Sequence, residues 1–184
     1  GEKGHFYHRW ASYANISSQA KLAVMAGEDQ LFPVHDGFAI KSIRAALQHN
    51  KYAKRIRGAS TISQQTAKNV FLWQGRSWFR KGLEAYFTFM IEKLWGKKRI
   101  LQMYLNVSEM GKGVYGIEAA ARFYFKKPAK FLTRSESAMI ASCLPNPKRY
   151  TIKPVSRHVA SRYPWVRNQM NHLQDDPDII KLIQ

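Results

Sequence analysis

Leu83-Glu-Ala-Tyr86-Phe87-Thr-Phe-Met90-Ile91-Glu-Lys-Leu94 spaces its apolar residues at i, i+3, i+4, i+7, i+8 and i+11. That spacing puts them on one face of an amphipathic helix. Ile100, Leu101, Tyr104 and Leu105 continue the pattern after Gly96. Ile117, Ala120, Ala121 and Tyr124 mark another helix, entered through the glycine-rich turn Gly111–Gly116. Thr133-Arg-Ser-Glu136 reads as a capping box before Ala138–Cys143, and Pro145 and Pro147 end that helix. Upstream, Ser17 or Ser18 is placed to cap a helix through Leu22–Met25. Strand alternation is scarce, and no repeat or linker divides the chain. The expectation is one mainly helical domain over residues 1–184.

The 184 residues are 45% hydrophobic and 13% aromatic, enough for a sizeable core and far from a disordered tail. Thirty Lys and Arg against twelve Asp and Glu leave a net charge of +18, which favours phosphates, anionic headgroups or nucleic acid as partners. The charge is segregated. Forty-seven residues between Asp36 and Glu84 carry ten cations and no acid. A second acid-free stretch runs from Ser137 to Gln174. A solvated helix face usually mixes both signs, so an anionic ligand or surface is one explanation and a uniformly basic protein the other. Cys143 is the only cysteine, which rules out an internal disulfide. No apolar run approaches the ~18–20 residues that cross a bilayer. Gly1–Trp10 lacks the apolar stretch of a signal peptide.

Three clusters are able to carry chemistry. Glu28-Asp29-Gln-Leu-Phe32-Pro-Val-His35-Asp36-Gly37 sets two carboxylates and a histidine beside a turn glycine. Adjacent carboxylates push their pKa values apart and leave one poised as a base, although a polar helix end reads the same way. The spacing of Glu28, Asp29 and His35 matches no strong metal-ligand motif. Gly58-Ala-Ser60-Thr61-Ile-Ser63-Gln64-Gln65-Thr-Ala-Lys68-Asn69 puts Thr61, Gln65 and Lys68 on one face near a helix start. Such a site suits an anion, and a capped surface helix is the plainer reading. In Arg76-Ser-Trp78-Phe79-Arg80-Lys81-Gly-Leu-Glu84, the Arg80–Glu84 spacing gives a surface ion pair or a half-buried carboxylate among cations. Phe38, Ile40, Ile43, Ala46 and Leu47, beside Lys41, Arg44, Lys51 and Lys54, form a basic amphipathic segment suited to core packing or a membrane interface. Ser18-Gln-Ala-Lys21 matches the Ser-x-x-Lys of penicillin-binding enzymes by chance, because its companion motifs are missing.

Taken in order, these stretches resemble the family 51 peptidoglycan glycosyltransferases, which polymerise lipid II. The first two clusters match its first two motifs, and Arg80-Lys81-Gly-Leu-Glu84, from the third cluster, fits its third. Arg99-Ile-Leu-Gln-Met-Tyr104-Leu105-Asn106, with Gly111, Gly116, Ala119, Ala120 and Tyr124-Phe125, fits the fourth. Leu132, Glu136 and Ala138–Pro145 fit the fifth. The similarity spans about Leu22–Asn171. The wording of Trp78–Phe87 and Glu109–Gly116 is similar to the monofunctional branch. Gln102 departs from it, standing where many members carry glutamate.

The resemblance implies a lysozyme-like, mainly α fold with a head lobe and a small membrane-facing jaw near residues 37–57. The family's membrane-spanning anchor is expected upstream of Gly1. The resemblance also implies Glu28 as general base, with inversion to a β-1,4 bond. Lys68, Arg76, Arg80 and Lys81 would surround the pyrophosphate, and Thr61, Gln64, Gln65 and Asn69 would complete the pocket. Ser60, Asp29, Phe32 and His35 would shape the cleft. Glu84 would organise the cations or hold a divalent ion, Mg2+ or Mn2+, and no organic cofactor is expected. Lipid II, the growing lipid-linked chain and an anionic membrane surface are the expected partners, with penicillin-binding and division proteins beside them and no specific nucleic acid. The expected place is the outer, periplasmic face of a bacterial inner membrane. A lysozyme-like hydrolase or lytic transglycosylase is the rival enzyme, and a nucleic-acid or heparin binder the rival of another class.

Overall fold

The structure, a computed structural model, describes residues 6–38, 60–75 and 77–184. Most of the basic amphipathic segment and expected jaw, and Arg76, therefore lie outside the described residues. What is described is mainly helical, as the periodicity predicts. A short strand β1 (Tyr7–His8) and a 3-10 turn (Tyr13–Asn15) lead into α1 (Ser18–Glu28), followed by α2 (Ile62–Phe71), α3 (Trp78–Leu94) and α4 (Gly96–Val107). Strands β2 (Glu109–Gly111) and β3 (Val114–Tyr115) precede α5 (Ile117–Phe125), a second 3-10 turn (Ala129–Phe131), α6 (Arg134–Cys143), α7 (Arg157–Leu173) and α8 (Pro177–Ile183). The three strands order as β1-β3-β2, with β1 parallel to β3 and β2 antiparallel to it.

Helix α1 is the axis of the core. Ser17 caps it by accepting the Gln19 amide at 3.1 Å, and every residue from Ala20 to Ala26 is buried. Alanines at 20, 23 and 26 let α6, α7 and α8 pack close to it. Even Lys21 is only 3% exposed, its ammonium 3.9 Å over the Tyr13 ring. Helices α2, α3 and α4 form a second packed group. Thr61 and Gln64 close a capping box at the start of α2, and Thr133 and Glu136 form the predicted one on α6. The glycine-rich turn before α5 needs its glycine, since Gly116 sits at φ +85° and an added Cβ would lie 2.7 Å from the Asn106 carbonyl. Cys143 is buried, and burial pushes its thiol up to about 12, so it is no nucleophile at neutral pH.

Helix α3 keeps most of the face its apolar spacing marks: Ile91 is buried and Leu83, Phe87 and Met90 are half-buried. Glu84 and Thr88 join Ile91 in the buried line, whereas Tyr86 and Leu94 of the spacing are exposed, and so are Phe89, Trp78 (92%) and Phe79 (72%). Helix α7 and helix α8 escape the pattern reading because their buried positions are sparse: α7 buries only Val159, Val166 and Met170.

Asn106 ties the N-terminal arm to the helical body. Its amide accepts from the Ala11 N–H at 2.7 Å and donates to the Ala11 carbonyl at 3.0 Å, fully buried. Replacing Asn106 by Leu strands both Ala11 groups, each worth ~1–3 kcal/mol when unsatisfied. We expect Asn106→Leu to lower the unfolding free energy by about 2–3 kcal/mol in urea titration. A variant as stable as the parent would show that the arm is not held by this network.

Candidate active site

Glu28 is the last residue of α1, so the buried helix delivers its carboxylate to the edge of the core. The chain then turns through Asp29–Gly37 and returns beside α2. Asp29, buried, joins these pieces: its Oδ2 accepts from His35 Nε2 at 2.8 Å and from the Ile62 N–H at 2.9 Å. The Gly37 N–H donates to His35 Nδ1 at 2.9 Å, which leaves the ring proton on Nε2. Thr61 Oγ1 donates to the Gly37 carbonyl at 2.6 Å. Gly37, at φ +88°, lies against α3, where a Cβ would meet Thr88 and Glu92 within 3 Å. The turn after Glu28 is thereby stapled to the first turn of α2.

One turn into α2, Gln65 Nε2 donates to Glu28 Oε2 at 3.1 Å. The Tyr104 hydroxyl approaches Gln65 Oε1 at 3.5 Å from the other side. Glu28 is enclosed by protein but keeps part of its surface open. Burial raises its pKa above the ordinary carboxylate value, and neighbouring Asp29 adds to the rise; the Gln65 hydrogen bond and the Arg162 charge oppose it. Arg162, from α7, reaches the Gly27 carbonyl at 3.4 Å and stacks 4.0 Å from the Trp165 ring. No motif in the sequence pointed to Arg162, because its contact spans 135 positions.

The next turn of α2 carries Lys68. Burial lowers its pKa, the Glu84 charge counteracts this, and Arg80 and Lys81 reinforce it. Glu84 is 3% exposed, with Lys81 Nζ 2.6 Å from its Oε1. The Arg80 Nε is buried and has no hydrogen-bond partner among the described residues. Gln65, Lys68, Asn69 and Arg80 thus form one wall of a cleft of about 560 Å³. Tyr104, Ser108, Glu109 and Tyr115 face them, and Leu144, Pro145 and Pro147 close one side. Glu28 does not itself line this cleft but is hydrogen-bonded to Gln65, which does. A carboxylate with a raised pKa next to a cation-lined cleft can take a proton while the cleft receives an anion.

The remaining candidates fall elsewhere. Phe32 is in the core, and Asp29, Thr61 and Gln64 are buried behind the cleft wall, where they hold the Asp29–Gly37 turn and cap α2. His35 is engaged on both ring nitrogens. Ser60 is exposed just before the α2 cap. Gln102 bonds to Arg99 at 3.0 Å and does not line the cleft. Tyr104, Ser108 and Tyr115 join the cleft without being candidates from the sequence; Tyr104 lies in the fourth-motif stretch and Tyr115 in the Glu109–Gly116 stretch, the signals that point toward them. Around Glu84, the described residues do not fit a protein-held divalent ion. Such ions take several oxygen ligands, while Glu84 offers one carboxylate already held by Lys81, and no three His, Cys, Asp or Glu converge among the described residues.

The raised pKa of Glu28 has a thermodynamic signature. The folded protein holds that proton more tightly than the unfolded chain, so stability falls as pH rises from about 4.5 through the folded pKa. Glu28→Gln should therefore melt higher than the parent at pH 8, with the gain shrinking toward pH 4. Equal melting temperatures at pH 8 would show that burial does not strain this carboxylate.

Comparison with known proteins agrees with the resemblance. Residues 2–171 match a family model described as transglycosylase. A biosynthetic peptidoglycan transglycosylase of Escherichia coli is 57% identical over 169 residues, covering 91% of this chain and 70% of the relative. Proteins of the same name from Mannheimia succiniciproducens and Aeromonas hydrophila are 56% and 54% identical, over 89% and 90% of this chain and 67% and 71% of theirs. With the family model matched over almost the whole chain and these relatives more than half identical to it, this chain belongs to the transglycosylase family.

Proposed function

We propose that this protein polymerises lipid II into β-1,4-linked glycan with release of undecaprenyl pyrophosphate. The observation that carries the reading is the span of α2. Gln65 holds Glu28, and Lys68, at i+3 and so ~4.5 Å further along the axis, sits within the field of Glu84, Arg80 and Lys81. Base and cations therefore share one rigid element.

In this mechanism Glu28, deprotonated, takes the proton of the acceptor sugar's 4-hydroxyl. That oxygen attacks the donor's anomeric carbon from the face opposite the diphosphate. The bond from carbon to the diphosphate oxygen breaks, its electron pair leaves with the diphosphate, and the configuration inverts. Lys68, Arg80 and Lys81 stabilise the departing charge, and Arg76, four residues ahead of the third motif, is assigned the same role. Glu84 keeps the cations from repelling one another and holds Lys81 by an ion pair beside Arg80. Asn69 lies at the same wall and completes the donor pocket. No step is routed through a metal ion. Cleavage of glycan, the rival reaction, has no use for a cation cluster beside the base, since it releases no diphosphate.

The membrane side is assigned to the exposed aromatic face of α3. Arg80 lines both the cleft and a shallow groove with Trp78, so a diphosphate at Arg80 would have its polyprenyl tail beside that ring. Amphipathic aromatic and basic side chains suit the interface of an anionic bilayer. Head and jaw lobes, an upstream anchor, and work beside penicillin-binding and division proteins on the outer face of the inner membrane belong to the same reading. Among the described residues no helix is long and apolar enough to cross a membrane.

Glu28→Gln should cut lipid II consumption by ~10²–10⁴-fold while leaving the fold intact. Glu84→Gln should bring a comparable loss, and near-normal turnover in either would remove that residue from its role. In the parent, activity should rise with pH through the raised pKa of Glu28. Gln65→Leu removes a hydrogen bond that favours the charged form, so its pH–rate curve should shift upward in pH. For the membrane face, Trp78→Ser with Phe79→Ser should weaken co-sedimentation with phosphatidylglycerol vesicles. Unaltered partitioning would place the bilayer against another surface.

A further inference from the structure

Beyond the cleft, a second groove of about 480 Å³ runs between the N-terminal arm and α5. Its apolar lining is Phe6, Tyr7 and Phe123, with the Tyr7 and Phe123 rings 5.3 Å apart. Its charged lining is Arg9, Arg122 and Lys126. Among the described residues, the Glu118 carboxylate on α5 is committed inward: it accepts from Arg122 Nε at 2.6 Å and from the buried Ala129 N–H at 2.8 Å. The groove therefore carries an excess of positive charge over an aromatic floor.

It also adjoins the cleft. Phe6 stacks on Tyr115 at 4.9 Å, and Tyr115 is part of the cleft wall. β1 pairs with β3 in the register Tyr7↔Val114 and His8↔Tyr115, so the sheet holds the two openings side by side. A polymer that left the cleft past Tyr115 would come to this groove next.

We infer that the groove binds the acidic peptide carried by the sugar units of the growing strand. The inference rests on the function proposed above. A short peptide with free carboxylates and alanine methyl groups matches both features, its carboxylates on Arg9 and Lys126 and its methyl groups on the rings. A bare diphosphate would leave the aromatic floor unused. Peptide contacts at a distance from the reacting carbon would hold the strand between successive additions.

The test is the double variant Arg9→Gln, Lys126→Asn. Neither residue lines the cleft, and asparagine tolerates the left-handed backbone that Lys126 adopts at φ +60°. Each enzyme is assayed on lipid II with its native peptide and on lipid II whose peptide carboxylates are amidated. The variant should lose about three- to tenfold in kcat/KM on the native substrate, the scale of two partly exposed ion pairs, and stay within about twofold of the parent on the amidated one. Equal loss on both substrates, or no loss on either, overturns the inference while leaving the proposed reaction standing. Weaker binding of the variant to phosphatidylglycerol vesicles, with unchanged substrate preference, would assign the groove to the membrane instead. A parent enzyme inactive on both substrates would instead defeat the reading of the cleft itself.

Discussion

Through one oxygen, Oδ2, Asp29 accepts both the His35 ring proton and the Ile62 amide. The two bonds tie the turn that follows Glu28 to the first turn of α2, at the end of the helix dipole where negative charge is favoured. Gln65 and Lys68 follow from that anchor at fixed helical offsets, and with them the hydrogen bond on Glu28 and the start of the cation cluster. A buried carboxylate that never reaches the cleft wall thus sets the spacing between the groups that do. His35 serves the same joint: its second nitrogen is taken by the Gly37 amide, so the ring orients Asp29 and the turn together.

The cleft holds its charges at a cost to the fold. Glu28 is raised by burial, Lys68 is lowered by it, and a buried Arg80 nitrogen goes without a hydrogen-bond partner among the described residues. Each is a group the rest of the core must outweigh, and α1 does much of this, with seven consecutive buried residues leading up to Gly27 and Glu28. Functional sites commonly show this pairing of strained polar groups with an over-determined scaffold. The aromatic face of α3 is the other conspicuous expense, because large apolar side chains left in water gain nothing unless another phase covers them.

The parts of the fold governed by neighbours in sequence were legible in advance. The capping box at Thr133 and Glu136, the turn at Gly116 before α5, the break at Gly96 and the end of α6 before Pro145 all follow from local hydrogen bonding or backbone sterics. Helix α3 was legible as a helix and in the face through Ile91, but not in the polar residues buried beside it. Periodicity reports which residues share a face, not which neighbour that face meets, and here the buried line runs through Glu84 and Thr88. The candidate residues Gln65, Lys68, Asn69 and Arg80 came from ordered motifs and meet at one wall. Arg162 and Ser108 reach the site from distant elements, and nothing local distinguishes them from surface or strand residues.

By itself, the order of residues determined that the chain is mainly helical, that it is strongly and unevenly basic, and which family it joins, since caps, turns and motifs are written in contiguous residues. Only the tertiary structure decided which of those residues face the cleft and which stand behind it. Asp29 and Glu28 are adjacent and chemically alike, yet one is spent on two internal hydrogen bonds and the other keeps an open side. That difference arises where the end of α1 meets the start of α2, elements more than thirty residues apart, and burial of this kind has no local signature.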